Sequence, residues 1–174
     1  MAGLRRRIRQ TETRPPMSPW KSSGGSAVGG LEAVGYAENS DLLLVVSSSG
    51  RGVFDCVTGE RVARDYDTSD SWYDWAHLLA LGIGPLEGQM IRLAGMDGGG
   101  LIAATTDGYR LWLVAPTWPD YRLILSPPQN DLYYNLDACV QVEGDYEIRA
   151  YGFSETGRSF IIAKNHTLYT FSRD

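Results

Sequence analysis

The residues with the strongest chemical character lie between positions 65 and 75. There four carboxylates, Asp65, Asp67, Asp70 and Asp74, are interleaved with Tyr66, Trp72, Tyr73 and Trp75. Three chemistries use that combination. A pair of acids at the right separation hydrolyses glycosidic bonds while rings stack on the sugar. Trp and Tyr in a desolvated patch dominate the energetics of protein interfaces. Rings in an acidic field hold cationic groups. A partial echo, Asp131-Leu132-Tyr133-Tyr134-Asn135-Leu136, lies one stretch further on from Asp70-Ser71-Trp72-Tyr73-Asp74-Trp75. These two segments nominate Asp70, Trp72, Tyr73, Asp74, Tyr133 and Tyr134 as contacts for a partner. The alternative is a hydrolase or sugar-binding protein using the acidic cluster at 65–74.

Other routes to chemistry are poorly represented. His77 and His166 are the only histidines, and neither has a second His or Cys at a metal-ligand spacing. Gly98-Gly99-Gly100 lacks the Lys-Ser/Thr of a phosphate cradle and reads as a turn. Around Ser154 the glycines are wrongly spaced for a nucleophile elbow. No catalytic residue, metal ligand or cofactor is assigned, and the reading leans towards a non-enzymatic protein.

Charge points to the kind of partner. Residues 1–30 carry Arg5, Arg6, Arg7, Arg9, Arg14 and Lys21 against Glu12, while the whole chain has a net charge of -5. The remainder is therefore strongly acidic. An acidic body attracts basic proteins and repels nucleic acid, which leaves only the basic segment to meet nucleic acid. The two cysteines, Cys56 and Cys139, read as free thiols of a reducing compartment. No apolar run approaches the ~18 residues of a membrane span, and no apolar stretch follows the first arginines as in a signal peptide. The expectation is a cytoplasmic protein, in which the Asn165-His166-Thr167 sequon has no role.

The elements that position these residues follow from the turn chemistry. Twenty glycines and eight prolines favour short strands and many turns over long helices. Arginines, Pro15, Pro16 and Pro19, and the Gly/Ser-rich stretch 22–30 make residues 1–30 a basic, flexible tail. Residues 31–174 form one β-repeat domain. Leu31-Glu32-Ala33-Val34-Gly35-Tyr36, Ile91-Arg92-Leu93-Ala94-Gly95-Met96 and Ile148-Arg149-Ala150-Tyr151-Gly152-Phe153 share one pattern, about 60 residues apart. Each is followed by a polar turn, an apolar run, a tight turn and a second run, which is the signature of an antiparallel meander. The apolar runs place Leu43, Val45, Ile102, Phe160 and Ile162 in the core. Helical spacing of Trp72, Trp75, Ala76 and Leu79 predicts a short helix over 72–81, with another over 132–138.

The stretch Val53-Phe54-Asp55-Cys56-Val57-Thr58-Gly59-Glu60-Arg61-Val62 resembles the blade consensus of quinoprotein-type β-propellers, in which Asp ends one strand and Thr-Gly-Glu turns into the next. The resemblance covers one repeat and implies four-stranded blades, with no active site carried over. Three copies do not close a ring of the usual four to eight blades. The expected architecture is therefore all-β, about three meander sheets, either propeller-like with a second chain in a homodimer or packed as a compact sandwich. The expected function is an interaction module with an acidic, aromatic face for a basic protein, of the immunity or scaffold kind.

Overall fold

The computed structural model describes residues 2–144 and 147–174. One short α-helix, α1 (Ala2–Arg9), precedes an all-β body of four separate antiparallel sheets. Sheet I has the order β5-β4-β3-β2-β9, from β2 (Leu31–Tyr36), β3 (Leu42–Ser47), β4 (Gly50–Asp55), β5 (Glu60–Asp65) and β9 (Ala94–Gly95). Sheet II is the small meander of β6 (Tyr73–Asp74), β7 (Leu79–Leu81) and β8 (Met90–Arg92). Sheet III joins β10 (Arg110–Thr117), β11 (Asp120–Ser126) and β12 (Val140–Gly144). Sheet IV joins β13 (Ile148–Phe153), β14 (Ser159–Lys164) and β15 (Thr167–Ser172), with β1 (Lys21–Ala27) on its edge.

Side chains alternate across a strand, so a run of consecutive apolar residues can only be buried if both faces are covered. That condition stacks the sheets. In β3, Leu43 and Val45 join a cluster with Ile161, Ala163 and Leu168 of sheet IV, while Leu44 and Val46 join one with Trp72, Tyr73 and Ala80. In β14, Ile161 and Ala163 face sheet I, while Phe160 and Ile162 meet Leu111, Leu123 and Leu125 of sheet III. In β11, Ile124 turns to the outer face, against Ile8 of α1 and Leu132, Leu136 and Cys139. The packing order is therefore sheet II, sheet I, sheet IV, sheet III and α1.

This arrangement corrects the propeller resemblance. The sheets are open and stacked, capped at one end by sheet II and at the other by α1, and they do not form a closed ring of blades. The turn at 55–60 is locally as the sequence implies: Asp55 accepts from the Val57 and Thr58 amides, and Gly59 has φ +79. That turn is compatible with any antiparallel hairpin and does not specify a blade.

The three-copy repeat also fails, at its middle copy. The first copy forms β2 to β5 and the third β13 to β15. In the second, β8 pairs in sheet II and β9 in sheet I, and residues 101–104 make only single bridges, Ile102 to Phe153 and Ala104 to Arg110. Gly98 and Gly99, at φ +108 and +81, turn the chain out of register here. Leu43, Val45, Phe160 and Ile162 are buried as expected, but Ile102 in this irregular stretch is 43% exposed.

Neither helix expected in the body forms. Residues 72–81 are a hairpin pairing Tyr73 with Ala80 and Asp74 with Leu79. The Asp74 carboxylate takes the Ala76 and His77 amides, and Leu78 sits at φ +53, which closes a loop instead of a helical turn. At 132–138 the Asp131 carboxylate takes the Tyr133 and Tyr134 amides, followed only by a single 3₁₀ turn at Leu136–Ala138.

The structure places residues 2–30 against this body. β1 pairs along β15, and Trp20 is buried among Phe153, Phe160 and Tyr109 with the Arg173 guanidinium over its ring. Gly24 is needed for a close approach: a Cβ there would press on the Gly59 backbone, and Ser23 donates to the Cys56 carbonyl. Truncating Trp20 to Ala should cost about 3–5 kcal/mol, the range for a buried large aromatic, read from urea unfolding. Removing residues 2–16 should lower the melting temperature, because it uncovers Ile124, Leu132 and Leu136. Arg173 also donates to both oxygens of Asp107, holding that carboxyl down at about 2. Its folded value lies below its unfolded value near ~3.9, so the stabilisation is complete above that pH and is lost as pH falls towards 2. Asp107→Asn should flatten that part of the acid unfolding curve.

Candidate functional site

The acidic, aromatic segment is built on sheet II and its loops. Arg51 of β4 is buried and ion-paired to Asp65, donates to the Leu81 carbonyl at 2.7 Å, and stacks over the Trp72 ring at 4.5 Å. Trp72 meets Tyr73 at 6.0 Å between centroids, and its indole N–H donates to the Asp67 carbonyl. Tyr73 in turn stacks on Trp75 at 3.9 Å. The result is a ladder from a buried guanidinium to an indole that is 51% exposed. Trp72 and Tyr73 are buried and support the ladder; Trp75 presents the surface.

Carboxylates act on the Tyr73 rung of the ladder. Glu32 has its carboxyl pushed up by partial burial and by the charges of Asp70 and Asp97. The Tyr73 phenol is pushed up by burial and by Asp97 and Glu32. Glu32 and Asp97 thus act on the Tyr73 phenol, and Asp70 acts on Glu32. The loop 96–98 lies beside the 74–78 loop, where Gly98 approaches Leu78, and Met96 is 57% exposed next to it.

The acids of the 65–74 cluster are occupied locally. Asp65 is lowered by the Asp67 amide and by Arg51, Asp67 by Ser69, and Asp74 by the side chain of His77, which it meets at 2.9 Å. Asp70 is exposed at φ +59. A cavity of about 480 Å³ lies between α1 and the 136–139 turn, and an apolar groove of about 290 Å³ runs beneath Pro15 and Pro16. None of these four acids lines either one.

Tyr133 and Tyr134 are 75% and 83% exposed, but they flank Leu132, which packs under α1. Sheets I, IV and III separate them from Trp72 and Tyr73 along the stack. The six nominated residues are thus divided between its two ends. The hydrogen bonds explain the misleading echo: Asp131 caps the amides two and three residues on, as Asp74 does and Asp70 does not. Sequence reasoning missed Arg51, Glu32 and Asp97, which join the site through pairing of distant strands. It named Trp75 within the cluster but not as the exposed contact.

The remaining reactive groups are inert. Cys56 and Cys139 are unpaired and buried; burial pushes the first thiol far up and the second to about 11. Ser159 donates to Asp41 at 2.5 Å and shares a hydrogen bond with the Tyr36 hydroxyl, clamping sheet IV to sheet I without a free nucleophile. Among the described residues no group of three or more His, Cys, Asp and Glu is placed to hold a metal ion, and no helix is long and apolar enough to cross a membrane. Comparison with family models and with curated proteins gives no match.

Arg51→Met should destabilise the protein by about 3 kcal/mol, the lower end for breaking a buried pair, because Asp65 keeps partial access to water. It should also change Trp fluorescence as the ladder loses its base. Asp74→Asn, which still accepts both amides, should leave the stability nearly unchanged. Chemical denaturation with fluorescence detection compares the two.

Proposed function

We propose that the protein is a non-enzymatic cytoplasmic interaction module that docks a basic protein on the sheet II end of its stack. The observation that carries this reading is Trp75: a large indole, half exposed and stacked on Tyr73, whose phenol feels the charges of Asp97 and Glu32. A rigid ring loses little conformational entropy on binding, and its open face stacks well on arginine. The acids supply attraction from a distance. A partner with an Arg-rich helix or loop fits this face, as in an immunity protein blocking a basic toxin or a scaffold gathering basic segments. A second copy of the chain also offers such a surface, since Arg5, Arg6 and Arg9 of α1 are exposed at the opposite end.

Trp75→Ala together with Asp97→Asn should weaken capture of the partner at least tenfold while leaving the melting temperature unchanged, since both side chains are largely solvent-facing. Raising salt should weaken the wild type too, because exposed charges are screened over ~8 Å at physiological ionic strength. The experiment is affinity capture from the native host at two salt concentrations, followed by titration of the recovered partner. Equal affinity of wild type and double variant would remove this face from the function.

A further inference from the structure

Another cavity, of about 160 Å³, opens where sheets I, III and IV meet beside the triglycine loop. Its walls are aliphatic: Ala94, Leu101, Leu113, Ile148 and Ala150. One charged group lines it, Arg149, and no carboxylate does. The Arg149 Nε is inaccessible to solvent and has no hydrogen-bond partner, and its guanidinium forms no ion pair among the described residues. Arg149 exerts a Coulombic pull on Glu32, yet the two form no salt bridge. A buried donor left without a partner is costly, and native proteins rarely leave one without a reason.

The lining backbone adds donors. Gly99 and Gly100 have no side chains, so they line the cavity with backbone, and the amides of Gly99, Gly100 and Leu101 bond to no other described residue. Gly99 is fixed as glycine, since at φ +81 a Cβ would collide with the Leu93 carbonyl. Tyr151 also lines the cavity, and burial pushes its phenol up, so it stays protonated and able to donate. By contrast, the larger cavity at α1 contains Glu12 and Asp137, and its Arg7 is already paired to Asp137.

We propose that this cavity binds a small organic carboxylate, its anionic head held by the Arg149 guanidinium and its short apolar stem between Leu101, Leu113 and Ile148. The Arg149 fork matches a carboxylate, and the aliphatic walls favour a molecule with a stem over a bare inorganic anion. None of the residues lining this site is one of the Trp75 ladder, although Arg149 acts on Glu32 near it.

The test is titration of the isotope-labelled full chain with propionate and, separately, with inorganic phosphate, following the Arg149 Nε–H and the Gly99 and Gly100 amides by NMR. Propionate should shift all three saturably, at least tenfold more tightly than phosphate. Arg149→Gln should bind propionate at least tenfold more weakly, with Arg149→Lys between the two. Arg149→Gln should also keep the melting temperature of the free protein, because the guanidinium has no partner to lose. Absence of saturable shifts overturns the proposal, as does unchanged propionate affinity in Arg149→Gln. Equal affinity for phosphate overturns the carboxylate assignment. A marked fall in melting temperature in Arg149→Gln would mean that Arg149 supports the fold instead.

Discussion

Phe160, Ile161, Ile162 and Ala163 of β14 point alternately to the two faces of sheet IV, and each is at most 1% exposed. A strand that is apolar on both sides cannot lie on the surface of a two-layer sandwich. It needs a sheet on each face, and β3 and β11 impose the same demand with Leu43 to Val46 and Leu123 to Leu125. Each fully buried Leu, Ile or Phe contributes roughly 1.5–3 kcal/mol. The stack follows from meeting these demands in series. Sheet II and α1 are the layers that end it, each with an apolar face inward; outward, α1 shows arginines while sheet II shows Leu81, Met90 and Arg92.

The two ends differ in the charge of the segments that build them. α1 turns Ile8 inward and Arg5, Arg6 and Arg9 to solvent. Sheet II turns Tyr73 and Ala80 inward and leaves Trp75 half exposed in a segment that carries Asp67, Asp70 and Asp74. Arg51 links the inside to the outside at this second end, since it reaches from sheet I across the face of the Trp72 ring to the Leu81 carbonyl. The Trp75 surface is thus anchored to the central layers and is not a loose loop.

Much of this was legible in the sequence, and the failures share a cause. The first and third meanders, the hairpin turns and most of the core were readable, because they rest on local alternation and turn chemistry. The helix expected over 72–81 was not there, because side-chain spacing says nothing about the Asp74 carboxylate capturing two amides. β1 was unreadable as a strand: Lys21 to Ala27 has no large apolar residue, and its place is set by backbone pairing to β15 and by close approach to Gly59. The propeller resemblance rested on one turn, which fixes a hairpin and leaves the assembly of sheets open. The candidate site was half legible. Its aromatic segment stood out, but Glu32, Asp97 and Arg51 reach it through long-range pairing, and the motif echo misled because two similar Asx turns lie at opposite ends of the stack.

The central claim is that the two-faced strands form the rigid interior on which the end layers, including the Trp75 platform, are mounted. Native-state hydrogen exchange tests it directly. The amides of Phe160 to Ala163 and of Leu43 to Val46 should exchange only through global unfolding, while those of Leu79 to Leu81 and of α1 should exchange through smaller, local openings. Exchange of the β14 amides at or above the rate of the sheet II amides would contradict the stacked interior and everything built on it.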